Sequence, residues 1–92
     1  MVRSHVWVTG RVQGVGFRGF VAYSAQRLGV TGWVRNLGYD SVEALAEGTA
    51  AQIEQFIQIM KAGPNNAHVE ESRMESEIYR GEFQDFQVRA SR

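Results

Sequence analysis

The chain has 92 residues, of which 43% are hydrophobic and 22% charged, and its ten Lys and Arg balance its ten Asp and Glu. This composition is typical of an ordinary globular protein, and the length predicts a single domain over residues 1–92. The absence of cysteine excludes disulfides and a thiol nucleophile. Since no apolar run approaches the roughly 20 residues of a membrane span and the N-terminus lacks a signal-peptide pattern, we expect a cytoplasmic protein with no membrane partner.

The first third of the chain predicts a strand followed by a helix. Between Val2 and Val12 the valines fall on even positions and the polar residues on odd ones, which is the period of a half-buried strand whose even side chains meet the core. Apolar residues then recur with helical spacing up to Leu28, and Gly29 follows as a C-cap. The pattern predicts a first helix over about residues 18–28.

The rest of the chain adds a hairpin, a helix and a strand. Two β-rich runs over residues 30–36 and 41–47 enclose a turn, which predicts a hairpin. Thr49 and Gln52 have the spacing of a capping box at the start of a second helix, which Gly63-Pro64 ends.

Two further strands complete the predicted elements. The charged stretch from Ala67 to about Glu77 predicts a strand, and Phe86-Gln87-Val88 predicts a last short one. The order β-α-β-β-α-β plus a terminal strand predicts an α+β fold, a ferredoxin-like α/β sandwich with two helices on one face of a mainly antiparallel sheet. In this topology the first two strands run in the same direction, so Asn36 is expected near the loop over residues 14–18.

The balanced net charge conceals an uneven distribution. Residues 1–39 carry five arginines and no acid, whereas residues 40–92 carry all ten acids and five bases. An acid-free first half suits a small anionic ligand or a nucleic-acid backbone. Alternatively, the two halves interleave in the fold and neutralise each other across the surface.

The stretch from Gly10 to Arg18 is the most distinctive part of the chain. It ends a strand pattern and begins a helical one, so it predicts a loop that directs unpaired helix N–H groups and the positive end of the helix dipole at an anion. A dinucleotide fingerprint is excluded by the short chain and by the lack of an acid about 20 residues further on. Arg18 lies in the first helical turn, where a cation is unfavourable for the helix itself. We therefore expect a functional role for it, and its planar fork of donors suits a phosphoryl group.

Other polar and aromatic residues give weaker indications. Asn36 is either a turn residue or part of a site, whereas Arg11 and Arg35 are expected to be solvated charges at strand edges. Trp7 and Trp33 could stack nucleic-acid bases, but the chain has no basic excess, so nucleic acid is not expected as a partner. The two histidines have no carboxylates at metal-ligand spacing, and we expect no metal.

Two motifs together resemble the acylphosphatase family. They are Gly10-Arg11-Val12-Gln13-Gly14-Val15-Gly16-Phe17-Arg18 and, further on, Leu28-Gly29-Val30-Thr31-Gly32-Trp33-Val34-Arg35-Asn36, and the similarity continues to Phe86-Gln87-Val88. The resemblance implies a cofactor-free monomeric hydrolase that splits the carboxyl–phosphate bond of a small acyl phosphate. The family pattern has Asp-Gly before Ser41-Val42, where this chain has Tyr39-Asp40 with Gly38 before them.

The resemblance also implies roles for individual residues. Arg18 would bind the phosphoryl group and Asn36 would orient the attacking water, and a phosphate oxygen of the substrate would accept the water's proton. Inorganic phosphate or a similar anion would bind in the same loop, which consists of Gln13, Gly14, Val15, Gly16, Phe17 and Arg18. A non-catalytic module that binds phosphate or nucleic acid on the same scaffold is the alternative.

Overall fold

A computed structural model describes the whole chain, residues 1–92, as five strands and two helices. In chain order they are β1 (Val2–Arg11), α1 (Phe17–Leu28), β2 (Thr31–Leu37), β3 (Ser41–Gly48), α2 (Ala50–Ala62), β4 (His68–Glu77) and β5 (Phe86–Val88). The predicted order of elements is confirmed, and α1 begins at Phe17, directly after the glycine-rich loop. Neither helix is long and apolar enough to cross a membrane.

The five strands form one sheet in the order β4-β1-β3-β2-β5. β3 is antiparallel to both β1 and β2, so these two strands run in the same direction, as predicted. β4 pairs antiparallel with β1, and β5 pairs parallel with β2. The mainly antiparallel sheet of the ferredoxin-like fold is therefore confirmed. The loop after β1 lies at the same end of the strands as the end of β2.

Both helices pack on the face of the sheet that carries the even-numbered residues of β1 and β3. The capping box of α2 is formed, since the Gln52 N–H donates to Thr49 Oγ1 at 3.1 Å and the Thr49 N–H donates to Gln52 Oε1 at 2.8 Å. Gln52 Nε2 also donates to Leu28 O at the end of α1, at 2.9 Å. The buried core between the layers includes Val6, Val8, Val21, Ala25, Val34, Val42, Ala44, Ala46, Ile53, Phe56 and Met60.

The opposite face of the sheet is covered at one end, which the sequence pattern did not predict. Val2, expected in the core, is 37% exposed, whereas Arg3 on the other face is only 6% exposed and Glu47 only 1%. Arg3 and Glu47 are buried because the segment over residues 78–85 connects β4 at one edge of the sheet to β5 at the other. It crosses this outer face, where the N–H of Arg80 donates to Glu47 Oε2 at 2.8 Å.

A network of ion pairs joins the basic first half of the chain to the acidic second half. Arg3 pairs with Glu47, Glu77 and Glu82. Arg35 Nε donates to Glu43 Oε1 at 2.5 Å, and its guanidinium lies 4.5 Å from the centre of the Trp33 ring. The expectation that Arg35 is a solvated charge is therefore wrong, because Glu43 faces it from β3 and leaves its side chain 20% exposed.

The partners of these buried carboxylates set their ionisation. Burial by itself raises the pKa of Glu47, but the hydrogen bonds from the Arg80 N–H, the Arg3 side chain and the Gly81 N–H outweigh it, and the pKa lies below its ordinary value. Glu43 behaves in the same way: burial raises its pKa, but the hydrogen bonds from His5 and Arg35 lower it by more, and the pKa lies below its ordinary value. Both groups are charged at neutral pH.

We expect acid to destabilise the fold through these carboxylates. Because their pKa values are lower in the folded than in the unfolded state, their stabilisation is complete above the ordinary carboxyl pKa and is lost as the pH falls from about 5 toward 2. Glu47→Gln, which leaves Arg3 without this charge, should lower the free energy of unfolding at pH 7 by about 3 kcal/mol. It should also give a shallower decline of stability with acid in urea unfolding measured from pH 7 to pH 3.

Glu54→Gln is the matched control, since Glu54 is exposed on α2. It should change the stability by less than about 0.5 kcal/mol at any pH. If Glu47→Gln had the same acid dependence as the wild type, Glu47 would not be one of the groups that carry it.

Candidate active site

The loop between β1 and α1 presents a row of unpaired N–H groups. Gly14 and Gly16 have φ angles of 72° and 76°, in the left-handed region that favours glycine. The backbone N–H groups from Gln13 through Gly19 donate to no acceptor in the protein, and the first paired N–H of this region is that of Phe20, to Gly16 O at 3.1 Å. These donors and the N-terminal end of the α1 dipole make the loop attractive to an anion.

Asn36 lies beside this loop, as the strand directions require. A cavity of about 320 Å³ is lined by Val12, Gly14, Gly16, Phe17, Arg18, Gly19, Asn36 and Val88. The structure thus brings Arg18, Asn36 and most of the loop to one cavity. Asn36 is not a turn residue. It belongs to the last part of β2, where it pairs with Val42 of β3.

The side chains of Arg18 and Asn36, the two polar ones that line this cavity, have no hydrogen-bond or ion-pair partner in the protein. No carboxylate lies within 4.0 Å of the Arg18 guanidinium, whereas Arg3 and Arg35 are each ion-paired. Neither Arg18 nor Asn36 forms a side-chain hydrogen bond within the protein. The interleaving of the charged halves therefore neutralises Arg3 and Arg35 and leaves Arg18, like Arg11 and Arg27, without a carboxylate partner.

Two of the predicted loop residues do not line the cavity. Val15 is partly buried and packs against the core. Gln13 directs its side chain to the turn between β2 and β3, where Nε2 donates to Ser41 O at 2.8 Å and to Gly38 O at 3.1 Å. The prediction that Gln13 binds phosphate therefore depends on its backbone N–H.

The end of the chain contributes to the site in a way that the sequence did not indicate. Val88 lines the cavity because β5 pairs with β2 in parallel, with Val88 opposite Val34. The pairing continues beyond β5, since the Arg89 N–H donates to Val34 O at 2.8 Å and the Arg92 N–H to Asn36 O at 2.9 Å. The alternation of Phe86 and Val88 indicated a strand, but no local signal could show which edge it joins.

The tryptophans do not form an open stacking surface. His5 stacks on Trp7 with 3.8 Å between the ring centres, and the Arg73 guanidinium lies 4.0 Å from the centre of the Trp7 ring. Trp33 is 6% exposed and is flanked by the guanidiniums of Arg35 and Arg89, at 4.5 and 5.2 Å. The ring faces that nucleic-acid bases would need are therefore taken by side chains of the protein.

Cavities of similar size lie elsewhere and show that volume alone does not define the site. A groove of about 260 Å³ between α2 and β4 contains no helix N-terminus, and its lining residues are Val6, Glu54, Ile57, Gln58, Lys61, Ser72, Arg73 and Met74. No group of three or more His, Cys, Asp or Glu side chains is arranged to hold a metal ion. The chemistry of the loop distinguishes the cavity beside Arg18.

Comparison with known proteins identifies the family and its fold. The acylphosphatase family model matches residues 4–88. The acylphosphatase of Syntrophotalea carbinolica is 47% identical over 88 residues, which is 96% of both chains. The crystal structure of acylphosphatase from Bacillus subtilis superposes with a TM-score of 0.90 at 33% identity, and covers 96% of this chain and 98% of its own. An acylphosphatase structure from Coxiella burnetii gives the same TM-score at 38% identity, over 96% of this chain and 92% of its own.

A family match over nearly the whole chain, a relative of equal length and two superposable structures lead to one conclusion. The chain belongs to the acylphosphatase family and is a hydrolase that acts on acyl phosphates.

Proposed function

We propose that the loop between β1 and α1 binds the phosphoryl group of the substrate and that Arg18 and Asn36 carry the reaction. The observation that supports this most directly is the shared cavity, in which the unpaired N–H groups, an arginine without a counter-ion and a free carboxamide meet. Arg18 can hold two phosphoryl oxygens with its planar guanidinium. The loop N–H groups stabilise the charge that spreads over the equatorial oxygens in the transition state.

Asn36 is proposed to hold the attacking water. Asn36 lines the same cavity as the loop and lies near the end of β2, which runs in the same direction as β1 with β3 between them. A carboxamide can both accept a hydrogen bond from a water and donate one, so it fixes the water without changing charge. The water oxygen forms a bond to phosphorus while the bond between phosphorus and the acyl oxygen breaks.

The proton of the water is proposed to pass to a phosphate oxygen of the substrate. None of the residues that line the cavity is Asp, Glu or His, so no side chain of the wall offers a general base. The leaving group departs as a carboxylate, which is a stable anion at neutral pH and takes its bonding electron pair without protonation. An activated substrate of this kind requires positioning and charge stabilisation more than acid–base catalysis.

We propose that the enzyme acts as a cytoplasmic monomer without a cofactor and that residues 1–92 form one domain. β1 lies in the interior of the sheet, and residues 89–92 still pair with β2, so both ends of the chain belong to the same sheet. The proposed ligands are a small acyl phosphate and, after turnover, inorganic phosphate.

The first test is the hydrolysis of benzoyl phosphate in the presence of a chelator. We expect turnover at the same rate with and without the chelator, because Arg18 and the loop N–H groups supply the positive field for the phosphoryl group. Arg18→Ala should lower kcat/KM by about 10³-fold, and Arg18→Lys should recover only part of it because an ammonium lacks the fork of donors. Turnover that appears only after a divalent metal is added would contradict the proposal.

The control for Arg18 is Arg27→Ala. Arg27 is an exposed arginine in the last turn of the same helix and contacts Tyr23 there. This variant removes the same charge from α1 and should keep the activity within about twofold. A similar loss from both variants would indicate a general effect of charge and would remove the specific role of Arg18.

The second test separates the water from the phosphoryl group. We expect Asn36→Ala to lower kcat by about 10²- to 10³-fold, whereas the inhibition constant of inorganic phosphate should change by less than about threefold. The reason is that the loop and Arg18 still bind the phosphoryl group when the water is lost. The opposite pattern, with weaker phosphate binding and a nearly unchanged kcat, would make Asn36 a phosphate ligand.

A further inference from the structure

The side chain of Gln13 connects the two sides of the candidate site. Gln13 lies between Val12 and Gly14, two loop residues that line the cavity. Its Nε2 donates to Ser41 O at 2.8 Å, to Gly38 O at 3.1 Å and, at the limit of hydrogen-bond distance, to Leu37 O at 3.5 Å. Gly38 lies in the hairpin turn, and Leu37 and Ser41 are the last residue of β2 and the first of β3, so the three carbonyls surround the turn that follows Asn36. The contacts bridge 24 to 28 residues of sequence.

Few other contacts hold the loop and the turn together. At the end of β1 the Gly10 N–H donates to Asp40 O at 3.0 Å, and the hydroxyls of Thr9 and Ser41 form a hydrogen bond of 3.0 Å. Beyond that point no backbone hydrogen bond links residues 12–16 to the turn, and no side chain of this loop other than Gln13 reaches it. The turn residues 38–40 are exposed, so they receive no support from the core.

The amide group of Gln13 suits this position chemically. All acceptors of its Nε2 group are carbonyl oxygens, so the position requires a hydrogen-bond donor. An amide supplies one, whereas an ionised carboxylate has none. On its other side the turn is held by the end of the chain, where the Gly38 N–H donates to Arg92 O at 2.8 Å. The turn is thus held by the end of β1, by the end of the chain and by Gln13, and of these only Gln13 belongs to the loop that follows β1.

We propose that Gln13 is a positioning residue that sets the distance between the loop, which binds the phosphoryl group, and Asn36, which holds the water. This inference depends on the roles proposed above for the loop and Asn36. A displacement of about 1 Å between two reacting groups can lower a rate by about 100-fold, so a hydrogen bond remote from the reaction can govern kcat. Gln13 acts through the turn and contacts neither the phosphoryl group nor the water with its side chain.

The test compares Gln13→Ala in the wild type and in Asn36→Ala. In the wild type we expect kcat for benzoyl phosphate to fall by about 10- to 100-fold, with less than about a threefold change in phosphate inhibition. In the Asn36→Ala background the same substitution should have almost no further effect, because the side chain that it positions is gone. Equal losses in the two backgrounds would show a general structural effect and overturn the proposal.

A second variant gives a readout that a purely structural role would not affect. Gln13→Glu places an ionised carboxylate against the three carbonyl oxygens at neutral pH, so kcat should fall at least as far as in Gln13→Ala. As the pH is lowered toward 5, protonation gives the new carboxyl an O–H donor for Ser41 O, and the ratio of its kcat to that of the wild type should rise. A ratio that stays constant with pH would count against the hydrogen bond to the turn.

Two controls separate the failure of this proposal from that of the proposed function. Gln55→Ala removes an exposed glutamine of α2 and should leave kcat unchanged. An active wild type with an equally active Gln13→Ala would refute the positioning role alone. An inactive wild type would refute the proposed function. The positioning role would then be tested by the proton resonances of the Asn36 carboxamide with bound phosphate. Identical resonances in the wild type and in Gln13→Ala would overturn that role.

Discussion

The site depends on the antiparallel pairing of β3 with both of its neighbours. Because β3 lies between β1 and β2 and opposes each of them, the ends of β1 and β2 meet at one edge of the sheet. The loop after β1 supplies N–H donors, and β2 supplies Asn36 just before its turn. The side chains of β3 that face the helices, Val42, Ala44 and Ala46, are fully buried, so the strand that aligns the site is also the centre of the core.

The distribution of charge follows from the same sheet. On the outer face the carboxylates of β3 lie between arginines of β1 and β2, and their lowered pKa values keep these pairs ionised at neutral pH. At the site edge Arg18 has no such partner. A protein with no net charge therefore presents a local positive field, which the loop N–H groups and the dipole of α1 reinforce.

Much of this arrangement could be predicted from the sequence because it depends on local patterns. The period of two in β1, the helical spacing of α1 and the capping box at Thr49 can each be recognised from residues close in sequence. The shared edge of Arg18 and Asn36 followed from the element order and strand direction. The family resemblance of the two motifs added the expected reaction, and the comparisons confirmed the family and its activity.

Contacts between residues distant in sequence could not be predicted. The burial of Arg3 and Glu47 requires the segment over residues 78–85 to cross the outer face, and nothing in its composition shows that path. The pairing of β5 with β2, which brings Val88 to the cavity, likewise depends on tertiary contacts. Gln13 belongs to the same class, since its neighbours in sequence indicated an anion loop while its side chain binds a turn about 25 residues away.

The central claim is that the loop N–H groups, Arg18 and Asn36 surround one phosphoryl group. A titration of the ¹⁵N-labelled protein with inorganic phosphate, followed by two-dimensional NMR, tests this claim without any assumption about the rate. We expect saturable shifts concentrated in the N–H groups of residues 13–19, the Arg18 side chain and the Asn36 carboxamide, with loss of saturation in Arg18→Ala. Shifts concentrated on the outer face of the sheet, or a response that Arg18→Ala leaves intact, would contradict the account.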